Sequence, residues 1–509
     1  MLSSSEISRF NKKNNIYIHI KKVKHQKVYY SLTISIILVF LKLLFFFIPF
    51  LRLLYLLLND CPAGCLHPSP KSRPLPTMPA ITKDTTRLIA HYARFAPTPL
   101  SLAQMAQFGK TASTATVFRA AQFMSDELPV RIAHKVHELE NLPPELVQTP
   151  SIQRVLGWYV ASFQDILRMA EHTKNTISPG VKAKLLEASH NARASPVTSS
   201  FFKTIKNRLL TGFASPLAKY DGDQTWPPEV YRCLDEFATC LNEIRTRHDA
   251  VVTTVAQGIK DYSVVANQPA TPRTSGKTKQ LPMRDIQAFL DRFFMSRIGI
   301  RVLVGQQLAL MKGNHSEDYV GIICTNTNIN DTIRHSVKLA QEICEDWYGL
   351  FEAPKVIIEC DPNLNFLYIP AHLSHMIFEV VKNSLRAVVE KYGPDIENAD
   401  KYPPVTIVVG DGTEDFTIRI SDRGGGIPRS VQKRVWLYNY TTVKDTPSIS
   451  PEFSQPMMNA PMAGFGYGLP ITRLYARYFG GDVDLQSIEG YGTDVYMHLH
   501  KLSTRELIY

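Results

Sequence analysis

The 509-residue chain has seven cysteines, and none forms a Cys-x-x-Cys pair or stands with His at zinc-finger spacing. An odd number without metal-ligand spacing argues against a disulfide framework or a zinc module and fits free thiols in a reducing compartment. His-Arg-Asp and Asp-Phe-Gly are both missing, which excludes the usual protein-kinase catalytic loop. Low-complexity composition is absent too: 44% hydrophobic and 20% charged is an ordinary globular balance. The main body also lacks excess charge. Of the net charge of +11, residues 1–77 hold nine, through eleven Lys and Arg against Glu6 and Asp60. Only two charges remain for everything after, so no nucleic-acid footprint is expected.

Residues 1–77 form a basic, hydrophobic leader. Within it "LTISIILVFLKLLFFFIPFLRLLYLLL" (32–58) has the length of a membrane span, interrupted by Lys42, Pro49 and Arg52. Read literally, it anchors the protein with the basic stretch on the cytoplasmic or matrix side. It is too solidly apolar for an amphipathic mitochondrial presequence. A third reading starts the protein at Met78, because domain-like patterning begins only after "RPLPTMPAITKD". Membrane contact is expected only if 32–58 belongs to the mature protein.

From about 84 to 310 the apolar spacing is helical, with breaks at "FAPTPLS" (95–101) and "ENLPPELVQTP" (140–150). One stripe carries Val155, Leu156, Tyr159, Val160, Phe163, Ile166 and Leu167. Stripes of this kind pack on one another, which predicts a helical bundle over 78–315. Residues 176–228 and 268–285, rich in Ser, Lys, Pro and Gly, read as insertion loops. After about 320 the texture changes. "PPVTIVVG" (403–410) and "DFTIRISD" (415–422) read as strands, and 481–500 as a hairpin turning at Glu489–Gly492. The expected fold class is therefore α plus α/β, an N-terminal helical bundle followed over 316–509 by an α/β sandwich with a mixed sheet.

Three segments there carry chemistry. In "AGFGYGLPITRLYARYFGG" (463–481), Gly464, Gly466 and Gly468 alternate, but Leu469 stands where a dinucleotide fingerprint needs its third glycine. The loop also lacks the Gly-Lys-Ser/Thr ending of a phosphate loop. What it offers is close backbone approach and a helix, predicted to start near Pro470, whose positive end faces the same place. In "HLSHMIFEVVKNSLRAVVE", His375, Glu379, Asn383 and Arg386 fall within roughly 80° on one helix face. Such a line can be a plain solvated face, or it can hold a hydrated Mg2+ on Asn383 while Glu379 acts as base and His375 tunes it. In "ISDRGGGIP" (420–428) a strand ends at Asp422, and Gly424 to Gly426 strip the surface beyond it. A flat base could lie there with its exocyclic amine on the Asp422 carboxylate, although Asp-x-Gly-x-Gly is also a common turn.

In this order the three segments resemble the ATP-binding sandwich shared by histidine kinases, the Hsp90 chaperone, type II topoisomerases and mismatch-repair ATPases. The segments "FAPTPLSLAQMAQFG", "SDELPVRIAHKVHELENLPPEL", "RTRHDAVVTTVAQGI", "RFFMSRIGIRVLVGQQLAL" and "AGFGYGLPITRLYARYFGGDV" narrow the resemblance to the mitochondrial pyruvate dehydrogenase kinases and their branched-chain relative. It runs from about 85 to about 502. It implies an ATP- and Mg2+-dependent serine kinase of the mitochondrial matrix that inactivates the decarboxylase component of the pyruvate dehydrogenase complex. It further implies a homodimer and a helical bundle that docks the lipoyl domain of the acyltransferase. Under it, Glu379 is the general base, His375 polarises it, and Asn383 carries Mg2+. Asp422, Gly424 and Gly426 hold adenine, with Thr493 under the base. Arg386, Thr441 and Thr442 contact the nucleotide. Gly464, Phe465, Gly466, Tyr467, Gly468 and Leu469 wrap the phosphates, as the end of a lid whose flexible part is about 445–463. Two departures stand out. The chain stops at "HKLSTRELIY" without the Asp-Trp tail of the animal pyruvate kinases, and "YVGIICTNTN" (319–328) is closer to the branched-chain enzyme. Two other readings remain: a sensor histidine kinase with His134 as phosphoacceptor, and an ATP-driven clamp in which Glu379 activates water.

Overall fold

The computed structural model describes residues 82–109, 113–191, 226–266, 283–313, 318–395, 399–442, 462 and 466–501. The leader and its apolar run 32–58 lie outside them, as do Gly464, Phe465 and most of the 445–463 segment. Among the described residues no helix is long and apolar enough to cross a membrane.

The first half is helical, as the apolar stripes require. The order is α1 (Lys83–Tyr92), α2 (Leu102–Gly109), α3 (Thr114–Glu140), the single turn α4 (Pro144–Val147), α5 (Pro150–Thr176), α6 (Pro179–Asn191), α7 (Pro228–Arg247), α8 (Val251–Ala266) and α9 (Met283–Lys312). Prolines stand at the starts of α4, α5 and α7, where their missing N–H costs nothing. The predicted stripe is real: Val155, Leu156, Tyr159, Val160, Phe163 and Ile166 are buried in α5, and Leu167 packs partly against the core. One expectation needs correction. Residues 179–191, read as part of an insertion loop, form α6, because Pro179 starts a helix and Leu185 is fully buried; the Ser/Pro/Gly texture around it masked a 13-residue helix.

Buried polar groups fix the irregular pieces. The Glu127 carboxylate accepts from Arg131 Nε at 2.7 Å and from the Thr98 amide at 2.8 Å, while Arg131 Nη2 donates to the Thr98 carbonyl at 2.7 Å. This buried pair thus clamps the break around 98 onto α3, each member satisfying what the other leaves exposed.

The second half begins with β1 (Tyr319–Val320), β2 (Ile323–Asn328), α10 (Ile329–Tyr348), β3 (Val356–Glu359), β4 (Asn365–Tyr368) and α11 (Pro370–Tyr392). It continues with β5 (Val405–Asp411), β6 (Asp415–Asp422), the turn α12 (Arg429–Gln432), α13 (Gly468–Tyr478), β7 (Asp482–Ile488) and β8 (Gly492–His500). A small antiparallel sheet runs β1-β2-β4, and the main sheet runs β3-β5-β6-β8-β7. Only β3 pairs with β5 in parallel, so the main sheet is mixed as expected. Period-2 patterning sets its inner face: Phe416, Ile418 and Ile420 sit opposite Leu499, Met497 and Val495, and all six are buried. Helices α11 and α13 cover the sheet, α11 contributing Leu373, Met376, Ile377, Val380, Val381, Leu385, Val388 and Val389 to the core.

Bundle and sandwich are not separate. Met78–Tyr509 forms one compact unit, so the expected boundary at 315/316 marks a change of architecture inside it. The joint is aromatic. Phe294 of α9 packs on Tyr438 and Tyr467 with ring centroids 5.5 and 5.8 Å away, and the Tyr438 hydroxyl donates to Asp291 at 2.8 Å. Gln306 of α9 ties in β1, donating to the Val320 carbonyl and accepting from the Ile322 amide.

The bundle core also holds His248, 3% exposed, its Nε2 3.0 Å from Ser162 Oγ and its ring 4.5 Å from that of Tyr159. Burial and the neighbouring Arg297 push its pKa from 6.5 down to about 3. Below pH 6.5 the unfolded chain takes up a proton at this position that the folded chain refuses, so stability falls as pH drops from 6.5 towards 3. We expect the unfolding free energy to decline over that window by up to roughly 1.4 kcal/mol per pH unit from this group. In His248→Gln, urea unfolding at pH 7 and pH 5 should show a shallower pH slope whatever the absolute loss; an unchanged slope contradicts the assignment.

Candidate ATP site

The site grows from helix α11. Its inner side is committed to the core, and this leaves His375, Glu379, Asn383 and Arg386 half-buried along the opposite line. Glu379, Asn383 and Arg386 line a cavity of about 460 Å3, together with Gly424, Gly426, Thr441, Thr442, Gly466, Gly468 and Leu469. His375 lies one turn before the cavity wall, its ring 5.2 Å from that of Tyr475 on α13. Residues from α11, from the loop after β6 and from the start of α13 thus converge on one concave place, the usual setting of a ligand site.

The closest approach in it explains a glycine. A Cβ at Gly468 would stand 2.5 Å from Glu379 Oε2, so a larger residue there would displace that carboxylate from the N-terminus of α13. Gly466 is at φ +78, and its Cβ would meet the Tyr440 carbonyl at 2.5 Å. Helix α13 starts at Gly468, two residues earlier than the start expected near Pro470. Pro470 falls inside the first turn, where helices tolerate a missing N–H. Its positive end therefore opens into the cavity.

Glu379 has a partner that the sequence reading did not single out. Lys382, one turn on and buried, donates to Glu379 Oε1 at 2.9 Å, with its ammonium also 5.1 Å from the Phe378 ring centroid. Burial raises the Glu379 pKa, yet Lys382 and His375 outweigh it and hold the carboxyl below its ordinary value. Burial pushes His375 down, against the opposing pull of Glu379. The cavity wall thus carries an ionised carboxylate at pH 7, with a neutral imidazole one turn before it on α11. The Glu379-x-x-Lys382 spacing was the visible signal, obscured because Lys at i+3 from Glu is common on any solvated helix.

Asp422 sits where the alternation of β6 puts it. It continues the buried row Phe416, Ile418, Ile420, so its carboxylate lies under α11 instead of facing water, and it is 8% exposed. Burial raises its pKa, opposed by hydrogen bonds from the Gly424 amide, at 2.8 Å, from Ser384 and from the Thr493 amide. Thr493 stands opposite it across the β6–β8 pair, with its hydroxyl 3.0 Å from Ser487 Oγ. Neither Asp422 nor Thr493 is among the residues lining the cavity wall.

Gly424 and Gly426 do line the wall, but for a different reason from the one expected. A Cβ on Gly424 would strike Ala387 of α11 at 2.4 Å, and one on Gly426, at φ +70, would strike the Ile488 carbonyl at 2.0 Å. Their missing side chains let the loop close against the protein. Lys391 then straps it, its Nζ 3.1 Å from the Arg423 carbonyl and 3.3 Å from that of Tyr491. The Tyr467 ring also departs from expectation: it is buried in the aromatic joint with Phe294 and Tyr438, which leaves only its backbone at the N-terminus of α13. Arg386 is engaged by Glu390 at 2.7 Å. Among the described residues no hydrogen bond holds the Asn383 amide, which leaves its oxygen for a ligand. His134 is bonded through Nε2 to the Phe95 carbonyl at 2.8 Å, a structural tether within the bundle.

A carboxylate, a neutral histidine, an uncommitted amide oxygen and a helix N-terminus around one cavity define an ATP-using enzyme of the sandwich class. Residues 368–503 match the family described as histidine kinase-, DNA gyrase B- and HSP90-like ATPase, and residues 99–324 match that of the mitochondrial branched-chain alpha-ketoacid dehydrogenase kinase. The chain is 40% identical over 434 residues to a mitochondrial pyruvate dehydrogenase (acetyl-transferring) kinase of Schizosaccharomyces pombe, covering 82% of this chain and 96% of that protein. It is 35% identical to the Arabidopsis thaliana kinase of that name over 405 residues (80% of this chain, 91% of the other). Against the human isozyme 4 it is 32% identical over 430 residues (83% and 85%). The chain belongs to the mitochondrial pyruvate dehydrogenase kinase family.

Removing Lys382 should unmask burial at Glu379 and raise its pKa. In Lys382→Met we expect the acid limb of the pH–kcat profile for phosphate transfer to move upward by about one unit. An acid limb that stays in place contradicts the pairing.

Proposed function

We propose that this protein transfers the γ-phosphate of ATP to serine on the decarboxylase component of the pyruvate dehydrogenase complex and thereby switches it off. The observation that carries this reading is Glu379, held ionised by Lys382 beside the α13 N-terminus. A base and a phosphate-binding helix end share one wall. The names of the relatives, all pyruvate dehydrogenase kinases, supply the substrate class.

Phosphoryl transfer asks mainly for positioning and charge neutralisation. The N-terminal amides of α13 and the loop before it cradle the phosphates, and Asp422, buried behind the Gly424 and Gly426 wall, accepts the adenine amine, with Thr493 beside it. Arg386, Thr441 and Thr442 complete the nucleotide contacts. Glu379 orients the serine hydroxyl and takes its proton as the oxygen bonds to the γ-phosphorus, while the bond from that phosphorus to the β–γ bridging oxygen breaks and ADP leaves. A carboxylate with a lowered pKa is a modest base, which suits a transition state in which the proton leaves late. Asn383 fits Mg2+ as a hard oxygen donor free of protein partners, and the ion supplies neutralisation of phosphate charge. The helical bundle docks the lipoyl domain, the protein works as a homodimer, and the matrix is its compartment. The description matched by residues 99–324 favours a branched-chain complex as the second substrate candidate.

Two substitutions separate the roles. Glu379→Gln should lower turnover by at least roughly 100-fold with ATP affinity nearly intact, because the amide keeps the shape and loses the base. Asp422→Ala should instead lose ATP binding in calorimetry. Unchanged turnover in the first, or unchanged affinity in the second, removes that residue from its role.

A further inference from the structure

Away from the ATP cavity, α5 and α7 bring together three side chains that the kinase reading does not use. His172 lies in the last turns of α5, and Cys233 and Glu236 stand three apart on α7, on one face of that helix. One ligand atom from each lies within 4.8 Å of the other two, and His172 Nε2 is 2.8 Å from Glu236 Oε2. We propose that His172, Cys233 and Glu236 form a binding site for a zinc-class divalent cation that clips α5 to α7.

The donor set chooses the ion. Nitrogen, sulfur and carboxylate oxygen together are a zinc set, and a thiolate is a poor ligand for Mg2+, so the magnesium serving ATP does not compete here. Three protein ligands leave a fourth position open. His172 and Glu236 are 47% and 43% exposed, so water reaches that position, whereas Cys233, 2% exposed, closes the site from the core side. Bonds of about 2.0–2.3 Å place tetrahedral donors roughly 3.3–3.8 Å apart, a change that small rotations of the two exposed side chains supply. On binding, the sulfur–hydrogen bond gives way to a sulfur–metal bond, the proton passes to solvent, and the charge of thiolate plus carboxylate is neutralised by the dication. The spacing escapes sequence motifs because the histidine comes from another helix, 61 positions before Cys233.

The test uses the full chain, stripped with chelator. Zinc at micromolar concentration should raise the thermal unfolding midpoint and saturate at one ion per chain. Cobalt(II) should give a thiolate-to-metal charge-transfer band. Cys233→Ser should lose the band, and His172→Ala, an exposed change that leaves the core intact, should weaken cobalt binding by about tenfold or more. Millimolar magnesium should produce neither effect. An unfolding midpoint indifferent to zinc, with both variants simply less stable, identifies an ordinary His172–Glu236 ion pair and overturns the proposal. A cobalt band that persists in Cys233→Ser overturns it as well.

Discussion

The structure of the catalytic half turns on the contact between Glu379 and Gly468. A carboxylate Cβ-close to a helix N-terminus is stable only if the carboxylate is ionised, because the helix end is positive and a neutral acid would gain little there. Lys382 ensures the ionisation from inside α11, and His375, neutral through burial, adds no competing positive charge. One glycine and one lysine thus set both the protonation state of Glu379 and its distance from the N-terminus of α13. The same approach brings α11 and α13 together, so the carboxylate we propose as base and the helix end we propose for phosphate lie side by side.

The position of Asp422 behind the cavity wall follows from strand periodicity. Because Phe416, Ile418 and Ile420 must face α11, Asp422 must as well, and a buried carboxylate at the end of an apolar row has to find donors. It finds the Gly424 amide, Ser384 and the Thr493 amide. The loop beyond closes tightly because Gly424 and Gly426 let it touch Ala387 and Ile488, and Lys391 and Ser487 fasten it to the β7–β8 turn. The bundle reaches the same region through Phe294, Tyr438 and Tyr467, so the residue just before α13 is anchored in the joint between the two halves.

Much of this was legible in the residues. Apolar stripes such as that of Val155 to Ile166 survive any context, since a helix face of this width has to be buried, and the alternation at 415–422 could be read as a strand with one buried face. The polar line on α11 was visible by angle alone. Other features were hidden for physical reasons. Lys382 looks like a solvated lysine until the packing of Phe378 shows it buried. The roles of Gly424 and Gly426 depend on Ala387 and Ile488, far away in sequence. Tyr467 seemed part of a phosphate loop because its neighbours are glycines, but long-range aromatic packing claims its ring. Helix α6 was missed because Ser, Lys and Pro around it resemble linker composition.

The central claim is that the Glu379–α13 joint serves transfer of phosphate to a 2-oxoacid dehydrogenase. Incubating the purified full chain with γ-labelled ATP and, side by side, pyruvate and branched-chain dehydrogenase complexes tests it directly. The account predicts acid-stable label on serine of the pyruvate decarboxylase component and parallel loss of that complex's activity. Label confined to the branched-chain complex, label on a histidine of the protein itself, or ATP hydrolysis with no transfer would contradict it.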